Sequence, residues 1–411
     1  MSNSVPQGWS LSTIGDTCDV LDSKRIPLNS QDRALRQGIY PYYGANGVQG
    51  YIDDFIFEGE HVLLAEDGGY FDEWDSRPIS YLVTGRFWVN NHAHILKAKR
   101  GHETRYVHYS LVHTNILKHI NGGTRAKLNQ SDMREIAYLT PPLPEQKKIA
   151  AILSSVDDLI EKTRAQIDKL KDLKTGMMQE LLTKGIGSDG IPHTEFKDSP
   201  VGRIPVSWNV VPCGDVCNKI TDGEHLSPKY VDKGLPILSA KDMRDYGIDL
   251  EGAKFVSEHD FAKMLKRCKP EYGDVLIVSR GATIGKTTLN TSRTPFALMG
   301  SVILLKPNQK CLGEFLSLFI ASPFVQQSML QLSGSSAQQA IYLKDIKDMP
   351  TPIPPIAEQK KIAHSITSID SRIQALTHKL NASERLKKAV MQDLLTGKVR
   401  VKIDQKESAV A

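Results

Sequence analysis

Apolar residues recur along two stretches of this chain in alternating steps of four and three. In the first they are Ile149, Leu153, Val156, Ile160, Ile167, Leu170, Met177 and Leu181, with Thr163 and Lys174 keeping the frame. In the second they are Ile362, Ile366, Ile369, Ile373, Leu376, Leu380, Val390 and Leu394, with Ser383 and Lys387 keeping it. This is a heptad seam of period 3.5. Each stretch predicts a helix of about forty residues, roughly 60 Å long at 1.5 Å per residue. A single helix would leave such a seam uncovered, so each either packs on its neighbouring domain or the two pack on each other. Matched length, frame and exceptions, including Lys174 and Lys387 at the same seam position, favour the second arrangement. Off the seam, Leu173 with Leu386, Met178 with Met391 and Leu182 with Leu395 form another matched stripe, expected to meet the globular segments or partner subunits.

The helices belong to a longer internal repeat. Pro141-Pro142-Leu143-Pro144-Glu145-Gln146-Lys147-Lys148-Ile149-Ala150 returns as Pro354-Pro355-Ile356-Ala357-Glu358-Gln359-Lys360-Lys361-Ile362-Ala363. Upstream, Trp9, Gly15-Asp16 and Cys18 return at the same spacings as Trp208, Gly214-Asp215 and Cys217. Between these shared ends the halves differ. Short β-branched and aromatic runs bounded by glycine, asparagine and aspartate, such as His61-Val62-Leu63-Leu64-Ala65 and Val275-Leu276-Ile277-Val278, predict strands and turns. The expected plan is therefore a globular segment at 1–140, a helix at 141–185, a linker at 186–200, a second globular segment at 201–350, a second helix at 351–400 and a polar tail at 401–411. Shared frames with divergent interiors suit two readers of different ligands.

Bulk properties narrow the class. The 411 residues leave room for two or three domains, and the net charge of +5 permits nucleic-acid binding without demanding it. Five scattered cysteines do not make a disulfide framework, and neither a signal segment nor an apolar run of spanning length is present. A cytoplasmic protein is expected.

No catalytic constellation emerges. Arg280-Gly281-Ala282-Thr283-Ile284-Gly285-Lys286-Thr287 invites comparison with a phosphate-binding loop, but that loop needs four residues between its first glycine and the Gly-Lys pair, and Gly281 leaves three. A turn presenting Arg280 and Lys286 to solvent is expected instead. His92, His94, His102, His108, His113 and His119 lack zinc-hydrolase spacing, Cys213-x-x-x-Cys217 has no second pair, and Glu66-Asp67 and Asp53-Asp54 sit at turn signals with no nucleophile beside them. No catalytic residue and no metal site is expected. Two polar loops lie at nearly the same place in the two halves. One carries Thr124, Arg125 and Lys127, the other Ser335, Gln338 and Gln339. Arginine suits guanine edges and glutamine adenine, while serine, threonine and lysine suit phosphates. Ordinary solvated loops are the alternative.

Two divergent globular segments, each closed by a Pro-Pro-x-x-Glu-Gln-Lys-Lys-Ile-Ala helix ending in Leu-Leu-Thr, resemble the specificity subunit of type I restriction-modification enzymes. The stretches holding Tyr43 and Asn46 and holding Arg280 and Lys286 are also similar to sequences of that family's target recognition domains, which adds these residues to the DNA-binding candidates. The resemblance implies an α+β fold: two mainly β target recognition domains with some helix, joined by two long helices in an antiparallel coiled coil with internal pseudo-two-fold symmetry. It further implies a non-catalytic reader of a bipartite, asymmetric double-stranded DNA site, one domain per half-site. Two methyltransferase subunits would carry S-adenosylmethionine, and two restriction subunits would use ATP and Mg2+. Helix length would set the gap between half-sites, so whole heptads inserted into one helix should lengthen it. A coiled-coil scaffold separating two protein-binding domains, or a nuclease with a degenerate acidic site, are the rival readings.

Overall fold

The computed structural model describes residues 5–122, 126–187, 189–244, 247–332 and 339–403. The chain divides into two compact units, Met1–Thr163 with Leu380–Ala411 and Arg164–Lys379. Each unit thus holds one globular segment, one half of the first long helix and one half of the second.

In the first unit the expected strands form. His61–Ala65, buried at every position, is an inner strand of a four-stranded antiparallel sheet in the order Cys18–Val20, Ala93–Ala98, His61–Ala65, Ser80–Val83. A continuous apolar run fits a strand covered on both faces. A second sheet runs Gly47–Ile52, Tyr40–Gly44, Arg86–Val89, Phe57–Glu58, with one parallel pair in its middle. Ser10–Thr13 pairs with Ala137–Thr140, so the entry and exit of the segment are tied together.

The second unit repeats this plan. Its sheets run Cys217–Asp222, Val302–Pro307, Val275–Val278, Thr287–Leu289 and Tyr230–Val231, Lys254–Val256, Leu235–Leu238, Ala297–Leu298. The parallel pair again sits in the second sheet, and Asn209–Pro212 again pairs with Pro350–Ile353 at the exit. A helix at Glu258–Arg267 and an antiparallel pair of short strands, Met243–Arg244 with Gly247–Ile248, are its own additions.

The long helices span Leu143–Lys184 and Ile356–Leu395. Each begins just past its proline pair, where the residue preceding a proline is biased away from helix. Each ends against a glycine with positive φ, Gly185 at 68° and Gly397 at 68°, the conformation that closes a helix without a Cβ penalty. Within each unit the helix pairing is antiparallel. In the first, Glu145 meets Arg400 and Asp157 meets Lys387; in the second, Lys174 meets Asp370 and Glu358 meets the Ile186 amide. The seam lysines therefore bond aspartates that themselves occupy matching places in the two copies, Asp157 and Asp370.

Seam residues Ile149, Leu153, Ile160, Ile167, Ile362, Ile366, Ile369 and Leu394 are buried, and Val156, Leu170, Met177, Leu181, Ile373, Leu376, Leu380 and Val390 are half-buried. The second stripe divides. Met178 and Leu182 join a core with Trp208, and Met391 joins one with Trp9, so each globular segment is capped by the far end of the other repeat's helix. Leu173 and Leu386 stay exposed at 51% and 57%. Residues 186–200, which read as a linker, hold a short strand, Phe196–Lys197, paired with Ile204–Pro205. No helix among the described residues is long and apolar enough to cross a membrane.

Candidate nucleic-acid interface

The repeated Glu-Gln pair at each helix start explains why a tryptophan opens each half. The indole of Trp9 donates to Glu145 Oε2 at 3.1 Å and that of Trp208 to Glu358 Oε2 at 3.0 Å. Gln146 Oε1 accepts the Glu103 amide just before the helix Thr104–Leu111, and Gln359 Oε1 accepts the Leu312 amide just before the helix Gly313–Ile320. Each globular segment is thus seated on its long helix by the same pair of hydrogen bonds. The remaining carboxylate oxygens are satisfied differently. Arg400 clamps both oxygens of Glu145 at 2.6 and 2.7 Å, whereas Glu358 Oε1 accepts the amides of Ile186 and Gly187 at 3.0 Å each and His193 Nε2 at 2.9 Å. Burial opposes ionisation of Glu358, but the bonds from His193, Gly187, Ile186 and Trp208 outweigh it and hold the carboxyl below its usual range.

In the first domain several polar residues gather where the strand His61–Ala65 ends. Glu66 accepts Arg25 at 2.6 Å and Lys127 at 3.2 Å; Asp67 bonds His92. Beneath them Asp22 takes His94 Nδ1 at 2.6 Å, the Ile95 amide at 2.9 Å and Gln130 at 3.0 Å, while His94 Nε2 reaches the Leu128 carbonyl at 2.9 Å. Burial pushes the Asp22 carboxyl up, and the His94, Gln130 and Ile95 bonds more than reverse this. Asp22, Glu66 and His94 offer ligand atoms within 4.8 Å of one another. Arg25 and Lys127 already supply the positive charge there, and the arrangement is that of a buried ionic network supporting a surface. Asn46, in the turn closed by Gly47 (φ 100°), donates to the Gly68 carbonyl at 2.9 Å and so belongs to the same surface. Tyr43 is half-buried and edge-on to Phe87, with its hydroxyl pushed up by burial.

In the second domain the corresponding strand ends at Val278, and Arg280 follows as an exposed residue. The stretch that suggested a phosphate loop joins two antiparallel strands, Val275–Val278 and Thr287–Leu289, with Gly281 at φ 104° and Gly285 at φ 84°. A phosphate loop would lead into a helix; this one is a hairpin, its Gly285 carbonyl taking Gln326 at 2.9 Å. Lys286 is half-exposed at its base, and Gln339 is exposed beside Ala340, which bridges to Arg280.

Thr124, Arg125, Ser335 and Gln338 lie outside the described residues. Of the other candidates, the structure brings Asn46 and Lys127 together around Glu66–Gly68, and Arg280 and Gln339 together across the Arg280–Ala340 bridge. Sequence reasoning singled out Glu66-Asp67 only as possible acid or base groups, and missed Asp22, Arg25 and Gln130. Glu66-Asp67 following an apolar strand was a usable signal; the other three carry none, being joined to the site over long separations.

The sequence model for the "Type I restriction modification DNA specificity domain" matches residues 6–172 and again 205–385. The chain is 27% identical over 409 residues to the type I restriction enzyme MjaVIII specificity subunit of Methanocaldococcus jannaschii, covering 97% of this chain and 94% of that one. Its fold is similar to the crystal structure of a type I restriction-modification S subunit from M. genitalium, with a TM-score of 0.65 at 16% identity over 96% of this chain and 97% of that one. A chain from a structure of type I R-M complex assembly and conformational transition matches with a TM-score of 0.52 at 18% identity, over 96% and 100% of the two chains.

Proposed function

The chain belongs to the family of type I restriction-modification DNA specificity subunits, and from that premise we propose how its repeat serves the role. It is the DNA-specificity subunit of such a system, with two recognition domains for a bipartite site and partner subunits to assemble with. The finer reading is that this chain performs no chemistry itself. Two methyltransferase subunits dock on it, S-adenosylmethionine binds to them, and two restriction subunits supply ATP- and Mg2+-dependent cleavage.

The single observation carrying this is repetition at the level of individual hydrogen bonds. Trp9–Glu145 with Trp208–Glu358, and Asp157–Lys387 with Asp370–Lys174, are the same contacts made twice. A chain that builds one surface twice supports two copies of one partner. The domain interiors, which differ, support two different half-sites. Replacing residues 201–350 by the same segment of another family member, and sequencing the methylated DNA of cells expressing it with its methyltransferase, should change one half-site alone. A change in both half-sites would refute one-domain, one-half-site reading.

A further inference from the structure

The structural equivalence of the two domains extends into the region where their sequences diverge. In the first domain the Glu66 amide bonds the His92 carbonyl at 2.8 Å, the Leu128 amide bonds the Glu66 carbonyl at 2.7 Å, and Asp67 forms an antiparallel bridge to Lys127. In the second the Ser279 amide bonds the Ser301 carbonyl at 2.9 Å, the Ile341 amide bonds the Ser279 carbonyl at 3.0 Å, and Arg280 forms an antiparallel bridge to Ala340. The backbone is the same, so Asp67 corresponds to Arg280, Lys127 to Ala340 and His92 to Ser301. The side chains change sign. One domain sets a carboxylate at the strand tip and a cation across from it; the other sets an arginine at the tip with uncharged neighbours.

Arg280 is held in a way that suits reading rather than loose attraction. Ser279 and Ala340 on either side of its backbone are buried while Arg280 is exposed, and Gly281, at φ 104°, turns the chain away immediately after it. The Cα is therefore fixed by strand pairing and the guanidinium starts from a defined point. A planar five-donor fork so placed matches the O6 and N7 acceptors on the major-groove edge of guanine. At the same point of the first domain the Asp67 carboxylate is taken up by His92 and its side chain is only 14% exposed, so it is not presented in this way.

We propose that Arg280, at the strand tip of the second domain, is a specificity-determining residue that reads a guanine in the half-site taken by that domain. This rests on the DNA-reading role above. The test uses the full chain with its methyltransferase subunits, comparing the wild type with Arg280→Ala and Arg280→Lys by sequencing methylated DNA and by competition binding against duplexes altered one base pair at a time. With Arg280→Ala, preference for guanine at one position of one half-site should fall about ten- to a hundredfold, leaving the other half-site intact. Arg280→Lys should not restore it, because an ammonium is a point charge without the fork. Weakening that is equal for all sequences and is rescued by lysine would make Arg280 a phosphate contact and overturn the proposal. Unchanged selectivity would overturn it too. If the wild-type complex itself methylated without sequence preference, the DNA-reading role would fail rather than the assignment of this position.

Discussion

Removing the carboxylate of Glu358 tests the seat of the second domain. The group is fully buried, at 0% exposure, and takes four donors: the Trp208 indole, the His193 ring and the amides of Ile186 and Gly187. Hydrogen bonds to a charged partner are worth about 1.5–3 kcal/mol each but do not add, and cutting a buried charge network leaves unpaired donors behind at about 3–5 kcal/mol. Glu358→Ala should therefore destabilise the second unit by about 3–5 kcal/mol. For a unit of this size, where each kcal/mol lowers the midpoint by roughly 2–4 °C, that is about 6–20 °C. Trp208 is the one tryptophan in residues 164–379, so its fluorescence during urea unfolding reports on this unit when Trp9, Trp74 and Trp88 are replaced by phenylalanine. The pH dependence adds an independent check. A carboxyl held low in the fold contributes stability that is present above the unfolded value of about 4.3 and is lost as pH falls through the folded value. The stability gap between the wild type and Glu358→Gln should thus be largest at neutral pH and shrink below about pH 4.3. A loss under about 1 kcal/mol for Glu358→Ala, or a gap indifferent to acid, would refute the reasoning.

A double-mutant cycle on Lys174 and Asp370, whose side chains are 28% and 43% exposed, should give a coupling of only about 0.5–1 kcal/mol, read from unfolding midpoints. His108 lies beside the other seam pair, and burial, aided by Lys387, pushes its ring down to about 4. It stays neutral in the fold while the unfolded chain protonates near 6.5. The first unit should therefore lose stability as pH falls from about 6.5 towards 4, and His108→Asn should flatten that slope in denaturant titrations at stepped pH.

The long helices, their proline starts and glycine stops, and their mutual seam were legible because each is a local signal repeated in register. The paired strands were legible for the same reason, since His61–Ala65 and Val275–Val278 are short apolar runs between turns. Trp9 with Trp208 and Glu145 with Glu358 each showed as a recurring mark, but that each tryptophan bonds its glutamate did not, because such a bond joins residues more than a hundred positions apart and leaves no spacing to read. The ionic network under the strand tip was hidden similarly: Asp22, Arg25, His94 and Gln130 are ordinary polar residues until the sheet brings them together. The segment 186–200 read as linker from its glycines, yet Gly185 and Gly187, at φ 68° and 70°, let the chain turn so that the amides of Ile186 and Gly187 reach Glu358. A glycine in a tight turn and a glycine in a loose tether look alike in one dimension.

Residues Leu380–Ala411 complete the unit that begins at Met1, whereas the unit Arg164–Lys379 is continuous in the chain. On the ribosome the order of completion is therefore reversed from the order of appearance. The nascent amino-terminal half must wait for about 230 further residues, roughly ten to fifty seconds at 5–20 residues per second, with the hydrophobic patch around Trp9 and Ile149 lacking Met391 and Leu394 until then. The later-made half closes first, and the stretch carrying Met391 and Leu394 decides when the earlier one can.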